Sequence, residues 1–203
     1  MSQNEYLTAL NEYLKSNGVT TIEGSSYSSP EQVKDLISLT TKPNLKVMEI
    51  GFNAGHSAVT FLQNNNDLTL TSFDLGEHSY GKIAKEYVDA LYPTRHTLII
   101  GDSTISVPTY VRNHKDETFD IIFIDGGHEY EIAKADMENC FKLAHKDTIV
   151  ILDDTIFTRE WEAEWTVGPT RTWNEHVQQN RIIELDRKEY YPGKGMVWGK
   201  YKA

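Results

Sequence analysis

Two apolar runs in the second half of this 203-residue chain end in acids. Residues 119–125 pass straight into Gly126-Gly127-His128, and residues 148–154 close on Asp153-Asp154. If the runs are neighbouring strands of one sheet, about 4.8 Å apart, the three carboxylates can converge on one point. Unpaired, they repel one another. A hard divalent cation with oxygen ligands, Mg²⁺ or Mn²⁺, resolves that repulsion. Zinc is disfavoured, because Cys140 is the only cysteine and no His pair has ligand spacing. His128, three residues after Asp125, titrates near neutrality and is placed to act as a general base. The competing reading has some of these acids capping helices or pairing with arginine, and His128 as an ordinary loop residue.

An earlier segment offers a second kind of chemistry. The run ending Glu49-Ile50 continues as Gly51-Phe52-Asn53-Ala54-Gly55-His56-Ser57, a glycine-bearing turn into a helix whose free N–H groups face outward. Its spacing is G-x-x-x-G rather than the G-x-G-x-x-G of a dinucleotide site, which argues against NAD and FAD. Asp74, 23 residues after Gly51, ends another apolar run and can accept both hydroxyls of a ribose. Gly101-Asp102-Ser103 follows a third, where Asp102 or Ser103 also suits a helix cap.

These residues need a frame. Five short runs at 46–50, 68–74, 96–100, 119–125 and 148–154 alternate with stretches such as 80–91 and 130–144, whose apolar residues recur at three- and four-residue spacing. Such alternation predicts a Rossmann-like, doubly wound α/β sheet, with ligands at the carboxyl ends of the strands. A (β/α)8 barrel would need eight units and about 250 residues. Residues 181–190 and 195–201, joined by a Pro/Gly turn, predict a closing antiparallel hairpin, giving seven strands, mostly parallel. Upstream, residues 5–16 read as a helix, and Ser29-Pro30 reads as the start of another, running to about Thr40. Residues 23–29 between them form a loop and a lid candidate. We expect a single domain over 1–203, with N-terminal helices at 1–45, the core at 46–154, and an acceptor-side segment with the hairpin at 155–203.

Composition limits the partners. Twenty Lys and Arg against thirty Asp and Glu give a formal charge of −10, which opposes a phosphate backbone or an anionic bilayer. No nucleic-acid or membrane partner is therefore expected. The start has neither the basic end nor the apolar run of a signal peptide, which predicts a cytoplasmic protein. Cys140 fits a small buried hydrophobe.

In order, VMEIGFNAGHSA, TSFDLG, IIGDST, FDIIFIDGGHEYEIAKADMENC and TIVILDD resemble a class I S-adenosylmethionine-dependent O-methyltransferase, over roughly residues 30–155. The chain is particularly similar to the metal-dependent macrocin and mycinamicin type, which methylates sugar hydroxyls. The resemblance implies that Glu49, Gly51, Phe52, Asn53, Gly55 and Ser57 surround the methionine part of the cofactor. It also implies that Asp74 holds the ribose with Leu75 beside it, and that Asp102 and Ser103 edge the adenine. It further implies a magnesium site at Asp125, Asp153 and Asp154 and a base at His128. Catechol-type relatives carry Asn at the position of Asp154 and lack this histidine, which points away from catechols. Some sugar-modifying relatives have an acid where Gly127 stands, so the base rests on His128 alone.

The acceptor walls are expected from residues 158–173, rich in Trp, Arg and Glu. Aromatic faces beside charged groups suit a saccharide, although Trp residues packing a closing helix explain the same composition. The expected partner is a small-molecule or glycan acceptor, and monomer and homodimer both stay open. The alternatives are methylation of a small phenol or catechol, or a non-catalytic cofactor-binding module. Arg187, Lys188, Lys194, Lys200 and Lys202 read as a solvated hairpin.

Overall fold

The computed structural model describes residues 3–24, 29–158, 163–190 and 193–202. Its strands are β1 (Lys46–Ile50), β2 (Thr69–Asp74), β3 (His96–Ile100), β4 (Phe119–Ile124), β5 (Ala144–Asp153), β6 (Ile182–Tyr190) and β7 (Lys194–Tyr201). Its helices are α1 (Gln3–Ser16), α2 (Pro30–Leu39), α3 (His56–Asn64), α4 (Tyr80–Leu91), α5 (Ser103–Asn113), α6 (Tyr130–Cys140) and α7 (Glu164–Gln178). The sheet runs β3-β2-β1-β4-β5-β7-β6. The first five strands are parallel, and β7 lies antiparallel between β5 and β6.

Strand side chains alternate between faces, which sets the layers. Val47, Ile121, Phe123 and Ile151 share a core with α1 to α4, whereas Met48, Ile122, Ile124, Val150 and Leu152 pack against Val107, Met137, Cys140 and Trp173 on the other face. With both faces covered, the strands read as continuous apolar runs rather than alternating ones. The chain proceeds outward from β1 through β2 to β3, then returns to add β4 and β5 on the other side of β1. The reversal opens a crevice at the carboxyl ends of β1 and β4, where ligands of such folds bind.

Two elements depart from the sequence reading. The helix expected over 130–144 stops at Cys140, followed by a 3-10 turn at Phe141–Leu143, and β5 already begins at Ala144. A register shift opposite Phe119 to Ile121 accommodates the polar start of β5. In the other departure, Ser29 precedes α2 but makes no side-chain cap bond, whereas Asp102 caps α5 by accepting from the Thr104 N–H at 2.9 Å. Most of the lid candidate, residues 25–28, and residues 159–162 of the acceptor segment lie outside the described residues. No described helix is long and apolar enough to cross a membrane.

Candidate active site

The turn after β1 and the turn after β4 are pressed together. A Cβ on Gly51 would stand 1.9 Å from the Asp125 carbonyl oxygen, and Gly51 has φ +98°, so only glycine fits. This contact sets the glycine turn beside the acidic strand end.

Beyond it, the Asn53 N–H donates to Asp74 Oδ2 at 2.7 Å and the Gly76 N–H to Asp74 Oδ1 at 2.7 Å, which fixes that carboxylate at the end of β2. The Asn53 side chain donates to the Glu23 carbonyl at 2.5 Å and so ties the N-terminal segment to the turn. Glu49 is fully buried beneath. Burial lifts its carboxyl to about 7 against the opposing Ser72 hydroxyl. Ser72 Oγ donates to Glu49 Oε1 at 2.6 Å and lies 2.8 Å from His96 Nε2, while Glu49 Oε2 has no hydrogen-bond partner. An orphaned buried acceptor beside a glycine turn and an oriented carboxylate fit the amino-acid and ribose parts of S-adenosylmethionine. The Phe52 ring turns into the core, 5.0 Å from the His96 ring, so only its backbone remains for a cofactor. Leu75, next to Asp74, is 61% exposed. Ser57 is buried in the first turn of α3, and Ser103 opens α5.

At the other side of the Gly51 contact, ligand atoms of Asp125, His128 and Asp154 all lie within 4.8 Å of one another. His128 Nε2 is 2.8 Å from Asp154 Oδ2. A cavity of about 10 Å³, room for one water-sized particle, is lined by these residues with Asp153, Gly126, Gly127 and Pro169. Burial, then the charges of Asp153 and Asp154, push the Asp125 carboxyl well up, and Lys194 opposes them. Burial and Asp154 likewise lift Asp153 to about 7. The hydrogen bond that the His128 ring donates to the Asp154 carboxylate raises the imidazole above its ordinary 6.5. Acids that disfavour one another's charge around a small cavity fit a divalent cation.

Asp153 joins this group differently. It is 3% exposed, and its carboxylate accepts from the Gln32 amide of α2. Nothing in the local sequence of α2 marks Gln32 for this role. Lys194, counted with the solvated hairpin, contributes a positive charge that opposes the rise at Asp125 and Asp153. On β6, Lys188 pairs with Asp35 of α2, and Arg187 with Glu184.

α7 closes the site. A Cβ on Gly168 would stand 2.1 Å from the His128 carbonyl oxygen, so the helix can approach the loop after β4 only at a glycine. Trp173 is fully buried and donates to Glu184 at 2.8 Å; it is a core residue rather than an acceptor wall. A groove of about 400 Å³ along α7 is lined by Ile156, Thr166, Thr170, Arg171, Asn174 and Glu175 among others.

A methyltransferase-domain family matches residues 48–155, which hold both turns and all four residues of the acid–histidine group. The chain belongs to this family. Among solved structures, the methyltransferase is similar to an O-methyltransferase from Bacillus cereus in complex with SAH, with TM-score 0.76, 20% identity, and coverage of 98% of this chain and 91% of that one. Cofactor-bound Rv0187 from MTB gives TM-score 0.77 at 18% identity, covering 97% and 89%. CalS11, a TDP-rhamnose 3′-O-methyltransferase of calicheamicin biosynthesis, gives 0.64 at 19% identity, covering 98% and 94%. At these identities the likeness speaks for the fold. No curated protein matches the chain.

Proposed function

We propose that this methyltransferase moves the methyl group of S-adenosylmethionine to a sugar hydroxyl, free or within a glycan, with a divalent metal at the acidic cluster. The observation that carries the reading is the meeting of Asp125, His128 and Asp154 beside the Gly51 turn, so that a base and a charged anchor adjoin the cofactor crevice. Glu49, Asp74 and the backbone of Gly51 to Asn53 would hold the amino-acid and ribose parts of the cofactor. Asp102 and Ser103 would meet the adenine. Asp125, Asp153 and Asp154 would hold Mg²⁺ or Mn²⁺. S-adenosylmethionine supplies an electrophilic methyl group, and a bound divalent ion lowers the pKa of the hydroxyl it meets.

The chain's own residues supply the rest. His128, partly exposed, takes the proton of the acceptor hydroxyl at Nδ1, the ring nitrogen opposite the Nε2–H that donates to Asp154. Asp154 orients the ring and stabilises the imidazolium that forms. The packing of α7 against residues 128–130 fixes the base loop and keeps water from one side of it. The polar groove along α7, with Arg171 stacked 3.8 Å from the Tyr130 ring, suits the remainder of a hydroxylated acceptor. CalS11, a TDP-rhamnose 3′-O-methyltransferase, shows that a neighbour of this fold takes a sugar acceptor.

Calorimetric titration with S-adenosylmethionine and S-adenosylhomocysteine tests the cofactor half of the proposal. Saturable binding of both is expected. Absence of heat with either would remove the crevice as a cofactor site.

A further inference from the structure

The Asp153 carboxylate is held from outside the family-matched region. Gln32, in the first turns of α2, is fully buried, and its Nε2 stands 2.7 Å from Asp153 Oδ1 and 2.6 Å from Oδ2. One amide nitrogen thus sits across the chelating edge of the carboxylate, the place a bidentate cation would take. Oδ1 also accepts the Asp154 N–H at 2.9 Å. With two acceptor positions per oxygen, Oδ1 is filled and Oδ2 keeps one position free. The aim of Gln32 is itself fixed. Three residues on, Asp35 accepts from the Tyr190 hydroxyl at 2.7 Å and from Lys188, which fastens α2 to β6.

Resting on the metal reading above, we infer that Gln32 is a positioning residue that leaves Asp153 a single oxygen position for the cation and thereby selects a small octahedral ion over Ca²⁺. Ca²⁺ favours six to eight oxygens with bidentate carboxylates, whereas Mg²⁺ and Mn²⁺ accept single-oxygen contacts from fewer groups. An amide that blocks the chelating edge penalises the first class and spares the second. The buried Gln32 Oε1, which has no hydrogen-bond partner, marks the same side chain as built for more than packing.

The test is Mn²⁺ binding to the whole protein, read by electron paramagnetic resonance, with Ca²⁺ as competitor. The wild-type protein is expected to bind Mn²⁺ and to yield it poorly to Ca²⁺. Gln32→Met, close in size but without the amide, should weaken Mn²⁺ about 10- to 100-fold, as loss of an outer hydrogen bond to a ligand does. It should also cut the Mn²⁺ over Ca²⁺ preference by about tenfold. Gln32→Asn, which retracts the amide, should fall between and serves if the methionine variant does not fold. Val33→Ala disturbs α2 packing without touching Asp153 and should keep wild-type Mn²⁺ affinity and preference. Gln32 variants that match wild type in both would overturn the inference and leave the metal reading standing. A loss shared by Val33→Ala would also overturn it, by assigning the effect to helix packing. Wild-type protein that binds no Mn²⁺ would overturn both.

Discussion

His128 Nε2 lies 2.8 Å from Asp154 Oδ2, which joins the residue placed as base to a residue placed as metal ligand. One contact therefore sets the ring's orientation, raises its affinity for a proton and ties both to the end of β5.

The base is separable from cofactor binding. His128→Ala should cut turnover about 100-fold or more while leaving the S-adenosylmethionine dissociation constant within about twofold, because His128 stands across the Gly51 contact from the cofactor crevice. Single-turnover kinetics and calorimetry measure the two sides. Wild-type turnover in the variant would exclude His128.

Asp136 gives a pH-dependent stability. It is fully buried on α6, and burial, against the opposing Ser103 hydroxyl, lifts its carboxyl from 3.8 to about 7. Because the folded value is raised, its contribution is fully present below about pH 4 and is lost as pH rises through 7. The upper bound of that loss is about 4 kcal/mol. Asp136→Asn removes the loss, so its melting temperature should gain on wild type by several degrees between pH 5 and pH 8. A constant difference across that range would contradict the assignment.

Gly51 tests the contact between the two turns. Gly51→Ala drives a methyl group toward the Asp125 carbonyl and imposes φ +98° on a residue with a Cβ. We expect a loss of at least about 3 kcal/mol in denaturant melts, or no folded protein. A variant as stable as wild type would mean that the turns do not meet as described.

Trp173 separates core from acceptor wall. Trp173→Ala should cost about 3–5 kcal/mol, as emptying a large buried site does. The acceptor KM of the folded fraction should stay unchanged, and a large rise in KM without loss of stability would return Trp173 to the acceptor.

Much of this site is legible in the sequence because strand ends are marked by composition. Apolar runs that stop at Glu49-Ile50, Asp74, Asp125 and Asp153-Asp154 locate four carboxyl ends, and the open-sheet topology brings them to one rim. What stays hidden depends on contacts between distant elements. Gln32 meets an acid 121 positions away, Asp136 looks like a polar helix residue until α6 is laid on the sheet, and Lys194 reads as a hairpin charge until β7 inserts beside β5. Trp173 shows the converse, since a saccharide-like composition is satisfied by a core contact. The early start of β5 escapes for a local reason, because Ala144 to Thr148 is too polar to read as strand and gains its pairing from Phe119.

The most direct test of the central claim is transfer of labelled methyl from S-adenosylmethionine to a panel of deoxysugar glycosides and catechols, with Mg²⁺ and with chelator. The account predicts labelling of a sugar hydroxyl that requires the metal. Sugar labelling undiminished by chelator, or labelling confined to catechols, would contradict it.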